Sequence, residues 1–354
     1  MSVKVDLKDF TTLRVGGAAR RFVIATSPEQ LVAVVAEADA AGEPVLLLGG
    51  GSNLVVADAG FDGVVVHVQT RGVRQIARAA WVEIEAAAGE PWDVFVAQTV
   101  AAGLRGLEAL SGIPGLVGAT PMQNVGAYGQ EVSDTISAVR VYDRRDARER
   151  VLDCAACQFG YRTSALKDAA PRFVVLSVTF RLAVSVQSTP IRYAELARAA
   201  SVSEGETVEL SHLRQVVLAL RRQKGMVVDA ADPDSASAGS FFMNPTLGAG
   251  ELAALDARVA ERLGAHERAP RFPQADGRAK VAAAWLIERA GFAKGFGAGR
   301  VGISSRHALA IVNRGGGTAS EVCALGKTIR DGVRDAFGVE LSPEPQMIGC
   351  TLGD

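Results

Sequence analysis

The chain has 354 residues, 48% apolar and 22% charged, with 38 basic against 39 acidic side chains. That balance belongs to a folded protein of two or three domains and excludes long disordered tracts; a net charge of −1 leaves no basic field for nucleic acid. The longest apolar stretches, such as Val45–Leu48, are cut short by glycine, well below the roughly 18–20 residues of a membrane span. Residues 1–10 alternate charged and apolar side chains without a signal-peptide core, so a cytoplasmic protein is expected.

Residues 22–26 have strand composition. Ser27, Pro28 and Gln30 then make a helix start, with Ser as N-cap and Pro in the first turn. Leu31, Val34 and Val35 supply the apolar stripe and Gly42 the stop. Val45–Leu48 is a short buried strand, 63–68 and 82–87 are further strands, and 91–102 is a helix closed by Gly103. Between 103 and 129 glycines are frequent and periodicity is weak; a loop of that length inside a domain is often functional. Strands return at 135–142, 149–153 and 173–182. From Ser211 a helix carries Leu213, Val216, Val217 and Leu220 on one face, and 229–238 is polar and turn-rich, a linker or an active-site loop. The pattern predicts a helix over 280–290 with Val281, Ala284 and Trp285 inward, and a strand over 308–312. Thr318 and Glu321 form a second capping box before the stripe Val322, Leu325, Ile329, Val333 and Phe337, which Gly338 stops. The sum is an α+β chain of two or three subdomains, without an internal repeat.

Four cysteines do not make a disulfide framework in a chain of this size. Cys154 and Cys157 form a C-x-x-C, a pattern open to redox chemistry or half a zinc site, but reduced structural thiols are the simpler reading. Cys323 and Cys350 lack metal spacing, the four histidines are scattered, and no metal is expected.

Five segments carry the functional signal. Gly49, Gly50, Gly51, Ser52 and Asn53 follow a strand directly; glycines let backbone amides approach an anion, although a plain tight turn has the same composition. Residues 112–129 interleave small residues with Gln123 and Asn124, which suits a flat, polar-edged aromatic cofactor as well as a structural glycine loop. The others are Gly160 to Ser164 around Arg162, Ala238 to Pro245 around Ser240, and Leu341 to Gly349 around Glu344. Singly these three are weak: a lone Arg is commonly a surface charge, a Gly-Ser before two Phe can simply enter the core, and a Glu between prolines can simply shape a turn.

In this order, beginning at Thr11 to Gly17 and running through residues 280–287, the segments resemble the UDP-N-acetylenolpyruvoylglucosamine reductase (UDP-N-acetylmuramate dehydrogenase) family over nearly the whole chain. The resemblance implies a vanillyl-alcohol-oxidase-type FAD-binding fold of two subdomains, 1–70 and 71–225, with a substrate domain at 226–338 and residues 339–354 returning near the active site. It implies non-covalent FAD, with Gly49, Gly50, Gly51, Ser52 and Asn53 at the pyrophosphate and Gly115, Gly118, Gln123, Asn124, Gly126 and Ala127 along the flavin. NADPH is the implied hydride donor and UDP-N-acetylglucosamine-enolpyruvate the substrate, reduced by hydride from flavin N5. Arg162 would stabilise the developing enolate, Glu344 would support it and Ser240 would protonate the carbon.

Ile191 to Leu196 resembles the tyrosine loop of the longer subclass, placing Tyr193 over the UDP part; a Tyr packed at a helix start is the plainer alternative. Lys224, Asn244, Lys280 and Tyr128 are candidates for diphosphate and sugar contacts. Met243 and Pro345 depart from the family pattern beside the catalytic residues, and 201–209 reads as a lengthened loop. No nucleic acid, membrane or obligate protein partner is expected. A related flavin oxidase acting on an alcohol or hydroxy acid should lack the Gly-Ser-Phe-Phe and Pro-Glu elements, and an inactive nucleotide-binding module should lack Arg162, Ser240 or Glu344. All are present.

Overall fold

The computed structural model describes residues 5–78, 81–168, 171–274 and 276–353; of the alternating 1–10 stretch, residues 1–4 lie outside them. The chain forms two compact units, one from Ala19–Gly50 and Asp62–Val227, the other from Met1–Ala18, Gly51–Phe61 and Val228–Asp354.

In the first of these units, the strands Ala18–Ala25, Phe61–Val68 and Val45–Leu48 lie side by side, the last two parallel with Leu46 opposite Val65. The helix Pro28–Ala40 covers them through Leu31, Val35 and Ala38. Its start is as the sequence predicts: the Gln30 amide donates to Ser27 Oγ at 3.2 Å, with Pro28 at the first position. A larger antiparallel sheet runs Arg148–Asp153, Ile136–Asp143, Phe173–Val184, Trp81–Ala87, Val73–Ala77. Against it packs the helix Trp92–Ala101. Trp92, Phe95 and Phe180 bury three rings with centroids 5.2–6.1 Å apart. The Trp92 indole donates to the Leu110 carbonyl at 3.1 Å, so its one polar atom is satisfied. Truncating such a residue costs about 3–5 kcal/mol. The helix Leu210–Gln223 buries Leu213 and Val217 in a smaller cluster with Leu196 and Ile191 of the preceding loop and helix.

In the other unit, Gln346–Ile348 runs parallel to Leu54–Val56, Ala279–Val281 pairs with Thr246–Leu247 and Arg271–Pro273, and Val301–Ile303 pairs with Ile311–Asn313. The helices Ala249–Leu263, Ala283–Arg289 and Ala319–Phe337 share a core that includes Leu255, Val259, Leu286, Ile329, Val333 and Phe337. The capping box holds: Thr318 Oγ1 accepts from the Glu321 amide at 3.2 Å while Glu321 accepts from the Thr318 amide at 2.8 Å. Gly338 closes the helix at φ +69°.

The α+β class stands, but some elements differ from expectation. Lys280 lies in a strand, and the helix begins only at Ala283, burying Ala283, Leu286 and Ile287 rather than the predicted Val281–Ala284–Trp285 face. Strand pairing on both sides of Ala279–Val281 outweighs its helical spacing. The predicted 308–312 strand starts at Ile311. The glycine-rich 103–129 stretch is not featureless: it holds two short strands and two single 3-10 turns. Among the described residues no helix is long and apolar enough to cross a membrane.

Candidate active site

The strand Val45–Leu48 runs straight into the first glycine loop. A Cβ on Gly50 would lie 2.8 Å from Gly115 Cα, and one on Gly51 would lie 1.9 Å from the Phe10 carbonyl oxygen. Gly51 also has φ +59°, so only glycine fits there. The Gly51 carbonyl accepts from the Thr12 amide at 3.1 Å, whereas the amides of Gly50 and Gly51 donate to no acceptor among the described residues. Unclaimed successive N–H groups on a glycine loop are the donor set a pyrophosphate requires, so the residues fit FAD.

Residues 112–129 are fastened at several points. The Gly115 carbonyl accepts from the Trp92 amide at 3.0 Å, the Gly118 amide donates to the Ala88 carbonyl at 2.9 Å, and a Cβ on Gly118 would come within 2.5 Å of Ala88 Cβ. Asn124 is buried, at φ +44°. Its Nδ2 donates to Glu131 at 2.7 Å and to the Gly160 carbonyl at 3.2 Å, and its Oδ1 accepts from the Ser133 amide at 3.1 Å. Its side chain therefore braces the loop.

Gly160 and Thr163 exchange backbone hydrogen bonds of 3.0 and 3.3 Å, putting Tyr161 and Arg162 at the tip of a tight turn. Arg162 is half-buried at φ +55°, a left-handed conformation costing a non-glycine residue about 1–2 kcal/mol. Its Nη2 donates to the Gly126 carbonyl at 3.0 Å, and Lys167 Nζ donates to its carbonyl at 2.9 Å. The guanidinium is thus a held group, set against the flavin-loop candidates Gly126 and Ala127, rather than a waving surface charge.

Three of the predicted substrate residues come together in the same unit. Tyr128 and Tyr193 make an edge-to-face pair at 5.7 Å, and Lys224 Nζ lies 5.7 Å from the Tyr128 ring centre. Lys224 donates to Glu195 at 2.6 Å. Burial pushes the Tyr128 hydroxyl up to about 12, and burial together with the Glu195 charge raises Tyr193. Arg221, absent from the expected set, is half-buried beside Tyr128. Its Nη2 donates to the Met226 carbonyl at 2.7 Å. It stands four residues beyond Val217 on the buried face of its helix, the periodicity that marks it. Asp93 belongs to the same support, pairing with Arg214 at 2.6 and 2.9 Å and accepting from the Gly112 amide at 2.6 Å.

In the other unit, Ser240 follows Gly239 at φ +77° and precedes the buried Phe241–Phe242 pair. The Phe241 amide donates to the Leu309 carbonyl at 2.7 Å and the Met243 amide to the Ser342 carbonyl at 3.0 Å. The Glu344 amide donates to the Phe241 carbonyl at 2.9 Å. Asn53 joins on the far side: its Nδ2 donates to the Glu344 carbonyl at 3.4 Å, and its carbonyl accepts from the Gln346 amide at 2.9 Å. Segments 53, 240–243 and 342–346 therefore form one braced group. Pro345 fits because position 345 is asked for no donor. Asn244 Oδ1 accepts from the Ala283 amide at 2.9 Å, and Lys280 stands opposite Thr246.

A cavity of about 940 Å³ in this unit is lined by Arg14, Gly16, Gly17, Asn313 and the 315–317 glycines, and by none of the expected site residues. Asn313 is a buried bracket there, donating to the Leu13 and Arg14 carbonyls at 3.1 Å each and accepting from the Gly315 and Gly317 amides at 3.0 and 2.9 Å. Gly315 to Gly317 form the turn between the strand Ile311–Asn313 and the helix Ala319–Phe337. Among the described residues no group of three His, Cys, Asp or Glu is placed to hold a metal ion.

The chain matches the model of the UDP-N-acetylenolpyruvoylglucosamine reductase C-terminal domain over residues 232–348, and that of an FAD binding domain over 19–152. A Thermobifida fusca protein named UDP-N-acetylenolpyruvoylglucosamine reductase is 54% identical over 349 residues, 98% of each chain. A Streptomyces coelicolor protein of the same name is 51% identical over 98% of this chain and 90% of its own. The crystal structure of UDP-N-acetylenolpyruvylglucosamine reductase from Thermus caldophilus superposes with a TM-score of 0.61 at 25% identity, covering 98% of both chains. On full-length likeness of that degree, the chain belongs to the UDP-N-acetylenolpyruvoylglucosamine reductase family and is an oxidoreductase with an FAD-binding domain.

Proposed function

We propose that this chain reduces UDP-N-acetylglucosamine-enolpyruvate to UDP-N-acetylmuramate with NADPH, a cytoplasmic step of peptidoglycan precursor synthesis. Gly49, Gly50, Gly51, Ser52 and Asn53 would hold the FAD pyrophosphate, and Gly115, Gly118, Gln123, Asn124, Gly126 and Ala127 its flavin, without a covalent link. When bound, FAD supplies a hydride taken from NADPH and given to the terminal carbon of the enolpyruvyl ether.

The chain's own residues manage the charge and the proton. Hydride addition leaves negative charge on the neighbouring carbon and its carboxylate. The Arg162 fork meets that charge with two donors in a plane. Glu344 supports the same group from a backbone fixed at both its amide and its carbonyl. Ser240 Oγ then gives its proton to the carbon, a transfer open to a weak acid only because the acceptor is strongly basic and the donor is positioned. Tyr193, Tyr128 and Lys224 bind the UDP part, with Asn244 and Lys280 as further diphosphate and sugar contacts.

What supports this reading above all is the bracing of Ser240, Asn53 and Glu344 by one hydrogen-bonded group of three distant segments. The test is anaerobic. Protein reduced with NADPH and freed of excess nucleotide is mixed with UDP-N-acetylglucosamine-enolpyruvate while the flavin absorbance is followed. Return of the oxidised spectrum is expected. A flavin that bleaches with NADPH yet stays reduced with the sugar nucleotide would assign the electrons to another acceptor.

A further inference from the structure

The end of the chain lies along the helix Ala319–Phe337 in step with its turns. Leu352 packs on Gly326, where an added Cβ would be 2.9 Å from its Cδ2, and Arg330 Nη1 donates to the Gly353 carbonyl at 2.8 Å. Cys323, Gly326 and Arg330 share one helix face. Read backwards along the tail, Cys350 comes beside Cys323. There the two thiols are near enough to shift one another, and the Cys350 thiol donates to the Val55 carbonyl at 3.5 Å. Both cysteines are free thiols packed in the same apolar cluster.

We propose that Cys323 and Cys350 are a redox modification site, converted reversibly to a disulfide by a peroxide.

The two sulfurs are unequal in the way such a site requires. Cys323 is buried and Cys350 is half-exposed, so an oxidant arriving from solvent meets Cys350 first. The neighbouring Cys323 sulfur lowers the Cys350 thiol, while Cys350 and burial raise Cys323. Cys350 is thus the nucleophile and Cys323 the resolving thiol. The Cys350 thiolate attacks one peroxide oxygen, the O–O bond breaks, and Cys350 becomes a sulfenic acid as hydroxide leaves. The Cys323 sulfur then attacks the sulfenic sulfur. The S–O bond breaks, an S–S bond forms, and water departs with the Cys323 proton. Two thiols lose two electrons and two protons, and the peroxide is reduced to two waters. The disulfide would pin the tail to the helix two residues beyond Gln346–Ile348, the strand whose first amide holds the Asn53 carbonyl. By contrast Cys157, of the C-x-x-C pair, is buried and pushed up to about 11, which makes it a poor nucleophile.

The test uses the full-length protein with FAD, exposed briefly to hydrogen peroxide, alkylated and mapped by mass spectrometry. Of four thiols per chain, two should be lost, with one peptide pair joining Cys323 to Cys350, and dithiothreitol should restore all four. Cys323→Ser should leave a sulfenic acid at Cys350 that dimedone captures; Cys350→Ser should leave Cys323 unreacted. The proposal is overturned if the unmutated protein keeps four alkylatable thiols. It is equally overturned if Cys154 reacts while Cys323 and Cys350 do not, or if Cys350 passes to sulfinic acid with no cross-link. These readouts are independent of enzyme turnover, so they stand or fall separately from the proposed reaction.

Discussion

The backbone amide of Glu344 donates to the carbonyl of Phe241 at 2.9 Å, one peptide beyond Ser240. The Phe241 amide is held as well, by the Leu309 carbonyl at 2.7 Å. Phe241 and Phe242 are almost wholly buried. The Ser240 backbone is therefore fixed by packing and by hydrogen bonds that do not use its hydroxyl.

That arrangement lets the hydroxyl be removed without disturbing its support. Ser240→Ala should cut reduction of the enolpyruvyl substrate by about 10²–10⁴-fold, the usual worth of a positioned general acid. Flavin reduction by NADPH should stay within about twofold, since no proton to carbon is needed there. Stopped-flow absorbance separates the two half-reactions. A second half-reaction at the unmutated rate would remove Ser240 from the mechanism.

Glu344→Gln keeps the backbone bonds to Phe241 and Asn53 and changes only the side-chain charge. The melting temperature should hardly move while the second half-reaction slows. Equal losses in both half-reactions would instead make Glu344 a structural or flavin-binding residue.

Arg162→Lys keeps the charge and loses the planar fork. The bond from Nη2 to the Gly126 carbonyl goes with it. The second half-reaction should slow by about 10²-fold or more, the scale seen when one charge-stabilising donor is removed, and the first much less. Equal slowing of the two would place Arg162 with the flavin loop alone.

Local structure was legible where it is set by neighbours in sequence. Ser27 with Pro28, Thr318 with Glu321, and Gly338 after Phe337 each act within one turn, and each appears as read. The helix Ala249–Leu263 is not legible in the sequence although Leu252, Leu255 and Val259 carry the right spacing, because its alanines and charges dilute the stripe. Lys280 reads as helical in sequence because nothing within its own turn reveals the strand pairing with Thr246 and Phe272 on either side. The site residues were legible only through an ordered set of motifs. No local pattern shows that Tyr128, Tyr193 and Lys224 meet, or that Asn124 spends its amide on Glu131, Gly160 and Ser133. Those contacts are made by tertiary packing, and so is the placement of Arg221 beside Tyr128.

Gly51→Ala tests the first glycine loop. Its φ of +59° costs alanine about 1–2 kcal/mol, and the new Cβ would lie 1.9 Å from the Phe10 carbonyl oxygen, which is backbone and cannot swing away. The loop must shift, and with it the unclaimed amides. Thermal unfolding should show a lower melting point and a smaller rise on adding FAD than in the unmutated protein. A lower melting point with an undiminished FAD response would confine Gly51 to packing.

Tyr128 gives a stability signature at high pH. Burial raises its hydroxyl from an ordinary 10 to about 12 in the folded protein, so the folded state binds the proton more tightly than the unfolded state. The stabilisation is complete below the unfolded value near 10 and is lost as pH rises through the folded value near 12. Stability should therefore fall between those two values. Tyr128→Phe should flatten that part of the denaturant midpoint against pH curve while keeping the ring contact with Tyr193 and Lys224. Because the hydroxyl also stands in the proposed UDP subsite, the same variant should raise KM for the sugar nucleotide more than it lowers kcat, by about 10-fold for one lost hydrogen bond near 1.4 kcal/mol. A slope that persists in Tyr128→Phe would move the high-pH loss to another group.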